Sequence, residues 1–312
     1  MTGKRADIIA HALRGVIVVI VAAVALAVSQ SCSDKGNDDG GKQETPVNQT
    51  EIDIDPAWSP DGSKIIYFRN YASDENHSDT QWVWGVFLFD VAFGTDSVLW
   101  EDFEATGFDW SPDGQRIAYQ WNAQIFVSDL ARDTVKHIES IERSHAPRWS
   151  PCGERLIYFI RLGDGRGLYS YYWNTNSSYL TVPYATYGSW MLNCDSIAII
   201  DYSDGDSSDL SIYSLRAESR SRLPKIDRHK RGIAVSPNGK SILIARDGYG
   251  AYTNIWKYDR ESLQYVQLTT EGGNNPNWSP DGQWIVFTKV DKDNGHLWLM
   301  RPDGSEKHQI TF

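Results

Sequence analysis

Runs of three apolar residues recur between polar turns along this chain: Ile65-Ile66-Tyr67, Ile117-Ala118-Tyr119, Leu156-Ile157-Tyr158, Ile197-Ala198-Ile199, Ile242-Leu243-Ile244 and Ile285-Val286-Phe287. A strand with one wet face alternates apolar with polar, so three consecutive apolar residues predict a strand buried on both faces. A turn phrase precedes most of them. Its clear copies are Trp58-Ser-Pro-Asp-Gly62, Trp110-Ser-Pro-Asp-Gly114, Trp149-Ser-Pro-Cys-Gly153, Val235-Ser-Pro-Asn-Gly239 and Trp278-Ser-Pro-Asp-Gly282, with a degraded copy at Trp190-Met-Leu-Asn-Cys194. Pro presets φ, Asp accepts local backbone hydrogen bonds and Gly tolerates the left-handed closure, so each phrase joins two strands of a hairpin.

The phrases begin 39 to 52 residues apart. Each interval also holds two looser stretches of β-branched and aromatic residues. Third strands are predicted over 84–90, 124–129, 168–173, 210–215, 254–259 and 296–300, and fourth strands over 96–100, 134–138, 178–182, 219–223, 265–269 and 307–312. Four strands in each of six repeats predict an all-β, six-bladed β-propeller of four-stranded antiparallel blades over 51–312. The segment Tyr71 to Trp84 reads as a long insertion without strands, of the kind that carries function or is disordered.

The phrase with its triplet resembles the propeller repeat of the TolB family, also called the WD40-like or PD40 repeat. That resemblance covers about Glu51 to Phe312 and implies the propeller fold together with a face that binds a protein partner. No stretch reads as the α/β domain that precedes the propeller in TolB, nor as the hydrolase domain of prolyl oligopeptidase-like enzymes. The expectation is therefore a propeller acting alone, as a monomer.

Ahead of the repeats, Lys4, Arg5 and Arg14 precede an apolar run from Gly15 to Val28, short for spanning a bilayer and suited to a secretory leader over 1–31. Cys32 follows small residues and resembles a bacterial lipoprotein acylation site, with Ser29 where that pattern has an aliphatic residue; ordinary cleavage and an uncleaved anchor are the alternatives. The polar, Asp/Gly-rich stretch 32–50 reads as a flexible acidic tether. Together these predict a lipid-anchored protein of the cell envelope.

The formal net charge of −11 argues against a nucleic-acid partner. One basic island, Arg216 to Arg231, reads either as charge blunting an edge strand or as a contact for an acidic partner. No catalytic, zinc or nucleotide motif is present, so no cofactor or metal is expected and the reading is not an enzyme. Asp201, Asp204, Asp206 and Asp209 crowd one loop, where turn chemistry is the simpler cause. Cys152 and Cys194 fall in equivalent hairpins of neighbouring blades, but diverging blades weigh against the 4.4 to 6.8 Å Cα separation that a bridge needs.

Functional residues are expected on the loops and inner-strand starts that share one face. These are Asp109, His145, Arg148, Tyr184, Tyr187, His229, Arg231, Asn275 and Asn277. They support two functions: a non-catalytic envelope lipoprotein whose propeller is a protein-binding scaffold, or a propeller that binds or processes a glycan or small ligand in its central pocket.

Overall fold

A computed structural model describes residues 51–73, 81–138, 143–161, 167–201, 208–225, 230–247, 253–291 and 294–312. The chain divides into Met1–Pro46 and Val47–Phe312. The expected leader, Cys32 and the tether lie outside the described residues, as do His229, Asp204 and Asp206. Among the described residues, no helix is long and apolar enough to cross a membrane.

The described residues form antiparallel strand quartets that run in chain order. The first is β1 (Glu51–Trp58), β2 (Lys64–Ser73), β3 (Gln81–Asp90) and β4 (Thr95–Glu101). The second is β5 (Thr106–Trp110), β6 (Ile117–Trp121), β7 (Gln124–Ser128) and β8 (Val135–Ile138). The third is β9 (Ser144–Trp149), β10 (Arg155–Ile160), β11 (Gly167–Tyr172) and β12 (Ser177–Pro183). The fourth is β13 (Ala185–Trp190), β14 (Ser196–Asp201), β15 (Asp209–Ser214) and β16 (Ser219–Arg222). The fifth is β17 (Lys230–Val235), β18 (Ser241–Asp247), β19 (Thr253–Asp259) and β20 (Gln264–Gln267). The last is β21 (Asn274–Trp278), β22 (Ile285–Asp291), β23 (Asn294–Met300) and β24 (His308–Gln309).

Hydrogen bonding does not keep all six quartets separate, as the sequence predicts it would. The middle four are four-stranded sheets, whereas the first and last share one eight-stranded sheet. The join is a parallel bridge from Ile52 of β1 to Gly295 of β23. Glycine eases the approach: a Cβ there would sit 3.2 Å from Ile52 Cγ2, a tight contact. A second correction concerns 71–84, read as strandless. At its two ends β2 and β3 run on, in register to Ser73 opposite Gln81, while 74–80 lie outside the described residues.

The triplets bury both faces, as their pattern requires. Ile65 and Tyr67 pack with Val286, Leu297 and Leu299 of the last quartet, while Ile66 packs with Trp110, Ile117 and Tyr119 of the second. The same division repeats onward: Ile117 and Tyr119 face back and Ala118 forward, and Leu156 and Tyr158 face back and Ile157 forward. Ile285 and Phe287 meet Leu243 of the fifth quartet, and Val286 returns to the first. The cycle of apolar seams therefore closes on itself. The repeat tryptophans 58, 110, 149, 190 and 278 are all buried between neighbours, and the indoles of Trp190 and Trp278 donate to the carbonyls of Arg148 and Ala234 one blade back.

At the turn end, four phrase glycines lie beside the proline of the quartet before them: Gly114 beside Pro60, Gly153 beside Pro112, Gly282 beside Pro237 and, across the closing seam, Gly62 beside Pro280, while Gly239 lies beside Leu192. The degraded phrase has neither residue: Leu192 replaces the proline and Cys194 the glycine, in the left-handed conformation with φ 54°. A disulfide from Cys194 to Cys152 occupies that contact, with Cα atoms 6.3 Å apart. This reverses the expectation drawn from diverging blades. The phrase turns converge closely enough for neighbouring hairpins to come within bonding range.

Candidate functional site

The inner strands β1, β5, β9, β13, β17 and β21 all contribute to one central cavity of about 890 Å³. Each inner ladder breaks register shortly before the phrase. In five of them the residue three places before the phrase's leading side chain is left-handed: Asp55 (φ 55°), Gly107 (64°), Ala146 (51°), Gly232 (66°) and Asn275 (49°). A bulge bends a strand and re-aims the side chains around it. Here it turns the bulged residues and their neighbours to the cavity.

The bulges are linked between blades. Asp55 Oδ2 accepts from the Gly107 amide at 3.0 Å, and its Oδ1 accepts from Asn275 Nδ2, so one carboxylate joins β1 to β5 and to β21. Burial pushes the Asp55 carboxyl above its usual range, against the lowering effects of the Gly107 amide, Arg148 and Asn275.

Of the side chains expected at the site, His145, Arg148, Tyr187, Asn275 and Asn277 line the cavity. His145 Nδ1 lies 3.0 Å from Gln120 Oε1, and its ring stacks near Phe159. Burial lowers its pKa, and the nearby Arg143 and Arg161 lower it further. Arg148 is fixed by donating from Nη1 to the carbonyls of Pro147 (2.7 Å) and Phe108 (3.3 Å).

The remaining expected residues fall elsewhere. Tyr184 is exposed at the turn between β12 and β13 and does not line the cavity. Arg231 sits on β17, and His229 lies outside the described residues. Asp109 is turned aside: its Oδ2 accepts the Trp149 amide at 2.6 Å, tying β5 to β9. Burial pushes its carboxyl up to about 6, with Arg148 and the Trp149 amide pulling the other way. Ser189 makes an equivalent tie between β13 and β17, its hydroxyl accepting the Val235 amide at 3.0 Å.

By sequence alone, the residue just before each phrase is the one expected to face the axis. The bulge also brings in residues two or three places further back, which is why Asp55, Thr186 and Asn274 escape that reading even though Arg148 and Asn277 do line the cavity; Gln120 and Arg161, beside the inner strands, escape it too. The signal for a bulge is present as Asp-Pro at 55–56, Ala-Pro at 146–147 and Asn-Pro at 275–276.

A second polar cluster lies at the eight-stranded join. Glu51, Asp53 and His296 bring ligand atoms within 4.8 Å of one another. The Arg69 guanidinium supplies the positive charge there. Its Nε lies 2.7 Å from Asp53 and 2.8 Å from Glu51, its Nη2 donates to Asp53 at 3.0 Å, and its Nη1 lies 3.0 Å from Asp96. Tyr67 donates to Asp96 at 2.6 Å, extending the network across the sheet.

Closed cyclic packing, phrase-led hairpins and an axial cavity define a β-propeller with four-stranded antiparallel blades. The family model of the TolB β-propeller domain, PD40, matches residues 106–311, and the chain belongs to that family. Its fold is similar to TolB from Acinetobacter baumannii, at TM-score 0.57 and 21% identity over 73% of this chain and 57% of that one. It is also similar to an oligogalacturonate lyase solved in complex with manganese, at TM-score 0.56 and 16% identity over 86% and 79% of the two chains. In sequence it is 24% identical over 251 residues to the uncharacterized peptidase YuxL of Bacillus subtilis, covering 75% of this chain and 29% of that protein. The chain spans less than a third of the length of the curated relatives it matches.

Proposed function

We propose that this protein is an envelope-tethered binding propeller that receives a protein partner at the mouth of its axial cavity. In this reading Cys32 carries the lipid, the polar stretch to residue 50 is the tether, and the eight-stranded sheet counts as two blades of a six-bladed ring. The observation that carries it is the cavity, which all six inner strands line and to which β1, β9, β13 and β21 present polar side chains at or beside their bulges. A rigid scaffold that concentrates irregular backbone and polar groups at one place is how propellers and barrels present binding sites.

Crosslinking in the native envelope, followed by purification and mass spectrometry, tests the reading. A partner captured by the native protein is expected to be lost when Tyr187, Asn275 and Asn277 are changed together to Ala. Retention of the same partner by a folded variant would refute it.

The cavity volume also supports a second reading, a propeller that binds or processes a glycan or small ligand. About 890 Å³ falls within the range of small-molecule pockets, roughly 300 to 1,000 Å³.

A further inference from the structure

We infer that the axial cavity selects an acidic peptide segment, through the cationic sector that the third blade presents in an otherwise acidic molecule. The inference rests on the partner-binding reading and names the chemistry of the segment that enters.

Charge around the cavity is not evenly spread. Arg148 on β9 and Arg161 just after β10 both line it, and Arg143 lies close enough to bear on His145. Among the described residues lining the cavity, Asp55 is the only carboxylate. Both of its oxygens are engaged, one by the Gly107 amide and one by Asn275, so it holds blades together rather than receiving a ligand. Asp109 is likewise committed to the Trp149 amide. Among the described residues lining the cavity, one engaged carboxylate thus meets two guanidiniums, with a third, that of Arg143, nearby.

The geometry of the arginines also suits a carboxylate. Arg148 is held in place by two backbone carbonyls, so little ordering is needed when a ligand arrives. Guanidinium forks match carboxylates in shape, and charge-assisted hydrogen bonds in a partly enclosed site are stronger than neutral ones. The whole chain carries −11, which repels an acidic segment everywhere except where the local sign is reversed. A cavity that focuses positive potential within such a field fixes both the entry point and the register of an acidic segment. Gln120 and Thr186, on the same lining, offer neutral polar groups to the peptide backbone on either side.

Isothermal titration of the purified full chain with the peptide Gly-Glu-Gly-Glu-Gly-Glu, its Gln counterpart and trigalacturonate tests this at two salt concentrations. The Glu peptide is expected to bind at least about tenfold more tightly than the Gln peptide, with affinity falling as salt rises. Arg161→Gln, at an exposed position, is expected to weaken the Glu peptide by about tenfold with Tm unchanged, and Arg161→Lys to lose only a fraction of that. Arg148→Gln should weaken it further, with Tm recorded because its backbone contacts are also lost. Equal affinity for the two peptides, or indifference to Arg161→Gln, would overturn the acidic selection while leaving the cavity as the partner site, which the Tyr187, Asn275 and Asn277 variant tests separately. Binding of trigalacturonate without the Glu peptide would overturn the peptide, and binding of no probe would overturn the inference.

Discussion

Asp109 shows how one side chain can belong to a seam while sitting beside a site. Its carboxylate accepts the Trp149 amide across a blade boundary, yet burial holds its pKa up at about 6. The unfolded chain titrates it near 3.9. A carboxyl whose folded value is raised contributes stability that is fully present below the unfolded value and is lost as pH rises through the folded one. Asp109→Asn keeps an acceptor for the Trp149 amide and removes the ionisation. The variant is expected to melt higher than the native protein at pH 7.5, with the difference shrinking toward zero near pH 4; paired melting curves across that range check it. Burial raises the Asp55 carboxyl too, but both of its oxygens are spent on neighbouring blades. Its place at the site is invisible to a reading that looks one position before the phrase, since only the bulge decides which side chain turns inward.

At the scale of elements, the triplets and the turn phrases did most of the specifying. An apolar triplet can be satisfied only between two other blades, and the structure divides each one, two side chains backward and one forward. The looser outer strands were also legible. Their observed bounds fall within a residue or two of the predicted ones in most quartets, although the C-terminal strand shortens to His308–Gln309. The fourth quartet departs from the pattern in an instructive way. Its phrase lacks the proline and glycine that elsewhere stack between neighbours, and the Cys152–Cys194 bridge takes that place. Closing a loop of 42 residues removes denatured-state entropy equivalent to about 4 kcal/mol in the chain-entropy account. Reduction, or Cys194→Ser with Cys152→Ser, is expected to lower Tm by several degrees, and Tm measured with and without reductant beside a thiol count in denaturant checks it. The sequence placed both cysteines in equivalent hairpins but not their separation, which depends on how tightly the hairpins converge.

For the molecule as a whole, closure is the step on which the other contacts depend. The first and last quartets meet through the Ile52 to Gly295 bridge, through the Thr288 hydroxyl donating to the Asp53 carbonyl at 3.1 Å, and through the apolar seam around Tyr67 and Val286. Beside it, Arg69 is buried among Glu51, Asp53 and Asp96, with Asp53 fully buried. Removing one partner of a buried ion pair strands the others, at a cost of about 3 to 5 kcal/mol. Arg69→Gln is therefore expected to lower the unfolding free energy by that order, whereas Lys240→Gln, whose ion pair with Glu261 is exposed, should cost far less. Urea melts of the two variants check the contrast. The sequence by itself determined the repeat, the strand order within each quartet and the doubly buried second strands, because hydrophobic period and turn chemistry are local properties of the chain. Tertiary structure alone decided the joining of the end quartets, the disulfide and the part of the cavity lining that Asp55, Gln120, Arg161, Thr186 and Asn274 supply. Each depends on how close residues far apart in sequence come once the ring shuts, and no local pattern encodes that distance.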